Sequence, residues 1–317
     1  MQQILVTILA LFALFYALGK SADLAINNIK IIAEKLGIGI FFLGLVMGFF
    51  TSFPEMGIGI NSIITNVQNI SLGNLLGGSM VLFGLILGLN VYLQREIKSE
   101  QNVWQFGMIM VFLLIPVFLG MDGTLSMVEG LIIVLGYFIL IFTIYYRQKH
   151  KLDFPYLSGE RRGLIKNVFL FLLGVILILI IAHFTVDLTI ELLSQLNLSK
   201  LVIGIVIFSI GTNFPEIIIA LRARKNHLKK LPFSNLLGSG MANMLLVGIF
   251  SVMRPFHFNV DSSYYILIAG LVILFALVFI FYRSERMMER KEGIILILFY
   301  LLFVILQIVF ENPIVPS

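Results

Sequence analysis

Apolar runs of about 20 residues recur along the chain, and each is long enough to cross a hydrocarbon core roughly 30 Å thick. Only 12% of the 317 residues are charged, whereas a soluble domain carries about 25%, so the chain cannot cover itself with a polar surface. An outer-membrane barrel would show short alternating segments instead of continuous runs. The sequence therefore predicts an all-α integral membrane protein with ten transmembrane helices, at residues 3–24, 37–65, 71–93, 102–120, 124–146, 163–186, 200–222, 233–254, 262–283 and 293–311.

Basic residues lie almost entirely on one side of this predicted topology. With the N-terminus outside, all 22 Lys and Arg residues except Lys200 and Arg254 fall in inner connectors, as expected for cytoplasmic loops. The sequence thus predicts a multi-pass cell-membrane protein whose longest polar connector, residues 147–166, is cytoplasmic. The first apolar run lacks the basic stretch and cleavage site of a signal peptide, so we interpret it as a retained helix. The absence of cysteine excludes disulfides and thiolate metal sites.

Two pairs of motifs recur at a separation of 161 residues. The first pair is "FTSFPE" (50–55) and "GTNFPE" (211–216), and the second is "GNLLGGSM" (73–80) and "SNLLGSGM" (234–241). Because each half contains five predicted helices, an odd number, the second half enters the membrane from the opposite side, as in inverted repeats. The predicted organisation is a first five-helix repeat, a cytoplasmic linker and a second five-helix repeat, at residues 1–146, 147–162 and 163–317.

Both hexapeptides place a proline and a glutamate inside an apolar run. Pro54 and Pro215 each remove a backbone donor and free a carbonyl one turn earlier. Broken helices at membrane depth are tolerated only where they are buried in protein or line a cavity. The prolines are flanked by oxygen-bearing side chains, which are the ligands that hard cations such as Ca²⁺ and Na⁺ prefer. These side chains are Thr51, Ser52, Glu55, Thr212, Asn213 and Glu216.

The two glutamates, Glu55 and Glu216, fall near the middle of their predicted spans. An ionised group at that depth costs about 2.5 kcal/mol or more unless it is paired, and no Lys, Arg or His lies at comparable depth in the other predicted spans. Inverted symmetry would bring the two carboxylates together. One divalent cation, several monovalent cations or protons would each relieve their repulsion, which is the physical basis of an exchanger.

The two glycine-rich stretches begin the third and eighth predicted helices. Asn74 and Asn235 have two interpretations, as partners of freed backbone groups or as contacts to ions. Ser239 and Asn243, four residues apart, share one helix face and are candidate cation ligands. A phosphate-binding loop would need a following Lys and a preceding strand, and both are absent. Glycines that permit close helix approach are Gly73, Gly77, Gly78, Gly238 and Gly240.

Other polar residues in the predicted spans are interpreted as structural. Glu129 and Glu292 begin the fifth and tenth predicted helices, where negative charge is favourable next to the helix dipole. Asp23, His183 and Asp187 lie near span ends, where interfacial positions explain most such residues.

The paired "TSFPE" and "GTNFPE" motifs, each followed by a glycine-serine stretch led by "GN" or "SN", resemble the alpha-repeats of the calcium/cation antiporter superfamily. The most similar branch is that of the prokaryotic sodium/calcium exchangers. The resemblance implies two inverted five-helix repeats with a central site on the second, third, seventh and eighth helices. It also implies alternating access, in which the first and sixth helices slide across the rest. The cation ligands that it implies are Glu55, Glu216, Thr51, Ser52, Thr212, Ser239 and Asn243.

Four positions depart from the pattern of this superfamily. Phe50 replaces a glycine in the first motif, and Asn213 replaces a serine in the second. Gly78 and Leu82 stand where the first repeat usually has a serine and an Asn or Asp. The first half of the implied site therefore lacks two oxygen ligands, which leaves open fewer coupled ions, proton coupling or a different cation.

The leading hypothesis is antiport of Ca²⁺ against Na⁺ in a cell membrane. A proton-coupled cation exchanger and a non-transporting cation-binding membrane sensor are the alternatives. The expected partners are inorganic cations and membrane lipid, without nucleic acid or an obligate protein partner. We expect no cofactor other than the transported Ca²⁺ and Na⁺ or H⁺, and no enzymatic activity, since the sequence shows no nucleophile–base pair, zinc ligand set or phosphate-binding motif.

Overall fold

The fold was analysed from a computed structural model, which describes residues 2–37, 39–64, 68–94, 96–98, 103–148, 163–194, 212–225, 230–258, 260, 262–285 and 287–310. The α-helices are α1 (Gln2–Leu36), α2 (Ile40–Thr51), α3 (Phe53–Ile64), α4 (Gln68–Met80), α5 (Leu87–Gln94), α6 (Val103–Leu119), α7 (Met127–Gln148), α8 (Leu164–Ser194), α9 (Phe214–Lys225), α10 (Lys230–Met253), α11 (Ser262–Glu285) and α12 (Arg290–Phe310). A π-helix spans Val81–Ile86 and a 3₁₀-helix spans Gly120–Asp122. The strands are β1 (Glu96–Lys98), β2 (Thr124–Leu125), β3 (Phe256–His257) and β4 (Met287–Glu289).

Eight helical segments in the described part of the chain are long and apolar enough to cross a membrane. The prediction of a helical membrane protein with several spans is therefore confirmed. The seventh predicted span, 200–222, lies partly outside the described residues, as does the predicted linker, 147–162. The count of ten helices and the repeat boundaries consequently remain predictions.

The helices are interrupted at both proline-glutamate motifs, as the sequence predicts. In the first motif, α2 ends at Thr51 and α3 begins at Phe53, so that Ser52 forms the break. In the second, Asn213 is a turn residue and α9 begins at Phe214. Each proline is thus the second residue of a new helix, where its missing N–H costs no intrahelical hydrogen bond.

The glycine-rich stretches lie further inside their helices than the sequence predicts. Helix α4 begins at Gln68 and α10 at Lys230, three residues before each predicted start. In α10 the early start is possible because Pro232 stands in the first turn, where proline is tolerated. The glycines of both stretches are therefore in helix interiors instead of at helix ends.

The chain forms two compact units, the first comprising Met1–Pro54 with Thr143–Ser239 and the second Glu55–Phe142 with Gly240–Ser317. Each unit takes one segment from each predicted repeat. The borders between the units fall inside the first hexapeptide and inside the second glycine-rich stretch. These two motifs, "FTSFPE" and "SNLLGSGM", therefore lie where the chain passes from one compact unit to the other.

In the first unit, α1 packs along α8. The core includes Ile26 and Ile29 of α1 with Val175 and Ile178 of α8, all buried. A Cβ on Gly174 would lie only 2.7 Å from the backbone nitrogen of Ala25, so the two helices meet backbone to backbone, as small residues permit in membranes.

Polar contacts also tie α1 to α8 in the first unit. The Nζ of Lys35 donates to Oδ1 of Asn167 at 3.2 Å, and Nδ2 of Asn167 donates to Oδ1 of Asn28 at 2.9 Å. Asn28 in turn donates to the carbonyl of Leu24. A pair of helices joined by this network and by close packing is expected to move as one body.

In the second unit, two short antiparallel strand pairs lie at opposite ends of α6. Strand β1, which precedes α6, pairs with β4 so that Glu96 faces Glu289. Strand β2, which follows α6, pairs with β3 so that Thr124 faces His257. Glu96 and His257 are 161 residues apart, which is the separation of the motif pairs. By this separation β3 is the counterpart of β1, and β4, which begins 163 residues after β2, is the counterpart of β2. Each strand of one half therefore pairs with the counterpart of the other strand, so the two pairings are reciprocal between the halves of the sequence.

Glycine contacts in the second unit follow the same reciprocal pattern. A Cβ on Gly88 of α5 would lie 2.8 Å from the carbonyl oxygen of Gly293 in α12, and a Cβ on Gly130 of α7 would lie 2.6 Å from the carbonyl oxygen of Gly248 in α10.

Gly130 and Gly293 both follow the glutamates predicted to begin helices. Those predictions are confirmed: Glu129 accepts from the backbone N–H of Ser126 at 2.7 Å, and Glu292 accepts from that of Glu289 at 2.7 Å.

Candidate functional site

The break in the first hexapeptide exposes the carbonyl of Gly48 to several donors. The backbone N–H of Ser52 donates to it at 3.2 Å, and the hydroxyls of Thr51 and Ser52 each lie 3.1 Å from it. The hydroxyl of Ser239 lies 3.3 Å away. A carbonyl has two lone pairs, so these hydroxyl protons cannot all be directed at Gly48, and some are available to other acceptors.

One such acceptor is the carboxylate of Glu216, in the first turn of α9. The Oγ of Ser239 donates to Oε1 of Glu216 at 2.9 Å and lies 3.2 Å from Oγ1 of Thr51. The three side chains come from α2, α9 and α10 within the first unit. The structure therefore brings together three residues that the sequence predicts as cation ligands.

Glu216 is only 1% exposed, and its Oε2 has no hydrogen-bond partner among the described residues. Hydroxyl donors alone do not compensate the desolvation of a carboxylate, which normally requires a paired charge or a bound metal. In the described part of the chain, no group of three or more His, Cys, Asp and Glu side chains is arranged to hold a metal ion. A positive charge at Glu216 would therefore come from a bound cation held with hydroxyl, carbonyl or amide oxygens, or from a proton.

Close packing between α2 and α10 brings the hydroxyls of Thr51 and Ser239 together. A Cβ on Gly48 would collide with the carbonyl oxygen of Asn235 and the nitrogen of Ser239, and would lie 2.7 Å from the carbonyl carbon of Gly238. Gly238 meets α2 in the same way, because its Cβ would lie 2.7 Å from Cα of Leu45. The prediction that Gly238 permits close approach is confirmed.

The remaining predicted residues of the second hexapeptide lie at the start of α9. Asn213 is buried, and its Nδ2 lies 3.3 Å from Oγ1 of Thr212, which is half-buried. Pro215 is buried in the first turn. The oxygen-bearing side chains of this motif are therefore next to the helix break, one turn from Glu216.

Glu55 and Asn243 belong to the second unit. Glu55, in the first turn of α3, is 3% exposed. Asn243 is buried in α10, and its Oδ1 has no hydrogen-bond partner among the described residues. Asn74 is half-buried in α4, and its Nδ2 likewise has no partner there. The second unit thus holds a buried carboxylate and a buried amide oxygen that is available to a ligand.

Two of the glycines predicted to permit close helix approach do not do so. A Cβ on Gly73 or on Gly77 would meet no atom within 4 Å in the part of the chain that the structure describes. The prediction was wrong because glycine frequency within a helix does not indicate which face a neighbour covers. Gly240 does make a close contact, since its Cβ would lie 2.7 Å from the ring of Phe83.

The π-helix is a feature that the sequence analysis missed. It begins directly after Met80 and includes Leu82, which is fully buried. The adjacent Phe83 packs edge-to-face on Phe275 with ring centroids 5.2 Å apart. Single π-turns inside α-helices are frequently found at functional sites. Here the π-helix carries an apolar side chain at the position where the superfamily pattern has an oxygen ligand, and no composition signal marks it.

Comparison with known proteins identifies the family. The model of the family described as "Sodium/calcium exchanger protein" matches residues 6–146 and 166–309. The chain belongs to the sodium/calcium exchanger protein family. Members of this family are membrane antiporters of inorganic cations and not enzymes.

Individual relatives extend over nearly the whole chain. The sodium/calcium exchanger MaX1 of Methanosarcina acetivorans is 25% identical over 333 residues, covering 90% of this chain and 94% of the relative. The uncharacterized membrane protein MJ0091 of Methanocaldococcus jannaschii is 25% identical over 303 residues, covering 93% and 94%. A solved structure of the sodium-calcium exchanger NCX_Mj matches with a TM-score of 0.81 at 22% identity, covering 95% of this chain and 99% of that one. The protein therefore has the fold of that exchanger.

Proposed function

We propose that the protein exchanges Ca²⁺ for Na⁺ by alternating access at a site formed by Glu55 and Glu216. The observation that carries the proposal is the buried carboxylate of Glu216, held by Ser239 through one oxygen while its other oxygen has no partner among the described residues. The second buried carboxylate, Glu55, is the last residue of the matching motif. Two carboxylates neutralise one Ca²⁺, and Na⁺ ions satisfy the same charges in the alternative loaded state.

The reciprocal contacts in the second unit support the inverted repeat on which this site depends. Strand β1 pairs with β4, the counterpart of β2, and β2 pairs with β3, the counterpart of β1. The close contact of Gly88 with Gly293 has its counterpart in that of Gly248 with Gly130. Such exchanged pairs are expected when two halves of a chain are related by a two-fold axis in the membrane plane.

The packing of α1 on α8 is consistent with alternating access. These helices are the first and sixth of the predicted topology, which the resemblance implies to be the moving pair. Their close contact at Gly174 and the network of Lys35, Asn167 and Asn28 would let them move together. We also propose that the N-terminus lies outside and that the basic connector, residues 147–166, is cytoplasmic, because that orientation satisfies the positive-inside rule.

The experiment that tests this function is uptake of ⁴⁵Ca²⁺ into vesicles reconstituted with the purified protein. We expect uptake that depends on an outward Na⁺ gradient and that stops when choline replaces Na⁺. An outward proton gradient applied without Na⁺ is the parallel arm. Uptake driven only by protons would replace the proposal with a proton-coupled exchanger, and tight Ca²⁺ binding without uptake would replace it with a cation sensor.

Ser239→Ala is expected to reduce exchange by roughly 10-fold or more, since a hydrogen bond to a charged group contributes about 1.5–3 kcal/mol. The substitution removes the hydroxyl that donates to Oε1 of Glu216 at 2.9 Å. Initial rates of Na⁺-dependent Ca²⁺ uptake provide the measurement. Ser251→Ala is the matched control, because Ser251 is a buried serine of the same helix that donates only to the carbonyl of Val247. Equal rates in the two variants would contradict a role for Ser239 in the site.

A further inference from the structure

Asn235 is a buried asparagine whose side-chain polar atoms lack a protein partner among the described residues. Its side chain is 0% exposed, and neither Nδ2 nor Oδ1 has a hydrogen-bond partner there. Leaving a buried donor or acceptor unpaired costs its full desolvation free energy. Asn28, another buried asparagine of the first unit, contrasts with it because its amide both donates to Leu24 and accepts from Asn167.

Helix α2 packs against the backbone of Asn235. The carbonyl oxygen of Asn235 lies against Gly48, and its backbone nitrogen would lie 3.3 Å from a Cβ on Gly44. Helix α2 therefore covers this part of α10 over two successive turns. The amide is buried in this region, and its polar atoms lack a partner among the described residues.

Asn235 stands one helical turn before Ser239, on the same face of α10. Ser239 contacts both Glu216, at 2.9 Å, and Thr51, at 3.2 Å. One turn corresponds to about 5.4 Å along the helix. The amide is therefore close enough to the carboxylate for a partly hydrated ion to lie between them, with a water molecule completing the contact.

We propose that Asn235 is a cation-binding residue that selects a monovalent cation. Its Oδ1 coordinates the ion, and its Nδ2 donates to a water molecule that the ion retains. The proposal rests on the exchange function proposed above. It concerns the Na⁺-loaded state, whereas Ca²⁺ is held by the two glutamates.

Charge balance favours a monovalent ion at this position. The hydrogen bonds that join Ser239, Thr51 and the carbonyl of Gly48 among the described residues reach one carboxylate, that of Glu216. One Na⁺ makes the cluster neutral, whereas one Ca²⁺ held there would leave a net positive charge in a buried environment, which is costly. Neutral amide and hydroxyl oxygens are suitable ligands for Na⁺ because it is a hard cation.

The test is Asn235→Leu, which keeps the volume and removes both polar atoms. In reconstituted vesicles we expect the Na⁺ concentration that half-saturates exchange to rise about 10-fold, which is equivalent to roughly 1.4 kcal/mol. The half-saturating Ca²⁺ concentration should change less than about 3-fold, or roughly 0.65 kcal/mol. Asn235→Ser, which retains an oxygen, is expected to lie between Asn235→Leu and the wild type. Asn90→Leu is the control, because Asn90 is a buried asparagine of α5 in the second unit that accepts from Nε2 of Gln94, and its replacement should leave the Na⁺ response unchanged.

Thermal unfolding separates ion binding from general damage. Na⁺ that binds the folded protein raises its Tm, so NaCl should stabilise the wild type and Asn90→Leu more than choline chloride does. Asn235→Leu should lose most of this Na⁺-dependent rise, whatever its Tm without Na⁺. If Asn235→Leu does not fold, the same two measurements on Asn235→Ser decide the matter.

The outcomes distinguish this inference from the proposed function. A wild type without Na⁺-driven Ca²⁺ uptake would overturn the proposed function. A wild type that exchanges normally, with Asn235→Leu and Asn235→Ser both showing wild-type Na⁺ half-saturation and Na⁺-dependent Tm, would overturn only the role of Asn235. A parallel loss of Na⁺ and Ca²⁺ affinity would overturn its selectivity for the monovalent ion.

Discussion

Glu216→Gln is expected to abolish exchange. Na⁺-dependent Ca²⁺ uptake should fall at least about 100-fold, which corresponds to roughly 2.7 kcal/mol. The substitution keeps the shape of the side chain and the acceptor for Ser239 but removes the negative charge. A buried neutral amide offers a cation one oxygen without charge compensation, and the burial cost of the ion is then no longer offset. Glu55→Gln is expected to have an effect of the same order, because the proposed site shares Ca²⁺ between both carboxylates.

The control for both substitutions is Glu129→Gln. Glu129 forms a capping box with Ser126 at the start of α7, and glutamine serves at this position of a capping box as glutamate does. We expect this variant to exchange at the wild-type rate. Substantial Na⁺-driven uptake by folded Glu216→Gln, or a loss of uptake in Glu129→Gln as large as in Glu216→Gln, would contradict the assignment of the carboxylate to the site.

Gly48→Ala is expected to destabilise the protein and to reduce exchange by more than about 10-fold. The added methyl would collide with backbone atoms of Asn235 and Ser239, which cannot move aside as the end of a flexible side chain would. Overpacking of this kind costs about 1–3 kcal/mol or more. If α2 moves away from α10 to relieve this steric clash, Thr51 also moves away from Ser239. Stability and exchange are therefore expected to be lost together.

Gly73→Ala is the matched control for Gly48→Ala. It makes the same change inside a transmembrane helix, but the new methyl would meet nothing within 4 Å among the described residues. Alanine is favoured over glycine in a helix interior by about 0.5–1 kcal/mol, so we expect an unchanged or slightly raised Tm and wild-type exchange. The measurements are thermal unfolding in detergent and Ca²⁺ uptake; a Gly48→Ala protein as stable and active as Gly73→Ala would refute the close-packing argument.

Most of the candidate site could be predicted from the sequence because its signals are local. A proline and a glutamate inside an apolar run are unusual wherever they occur, and the recurrence of "FPE" after 161 residues marks both halves. The helix breaks at Ser52 and Asn213 follow from the same prolines. The glutamates at the starts of α7 and α12 were equally predictable, because capping depends on residues three apart in the chain.

Other features could not be predicted, because they depend on which helix faces meet. Gly48 and Gly73 are both glycines in apolar helices, yet among the described residues a neighbouring backbone lies against Gly48 and not against Gly73. Asn28 and Asn235 are both buried asparagines, yet within that part of the chain the amide of Asn28 has hydrogen-bond partners and that of Asn235 has none. The π-helix at Val81–Ile86 likewise has no distinguishing composition.

The sequence alone determined that this chain is a helical membrane protein of the cation antiporter type, with paired proline-glutamate motifs. Hydropathy over about 20 residues and the cost of a charge in lipid require no knowledge of the fold. Only the tertiary structure decided that Ser239 donates to Glu216 and that α2 approaches α10 closely enough to enclose Asn235. Those contacts join segments far apart in the chain, and their distances follow from helix packing, which is set by the shapes of all the side chains between the helices.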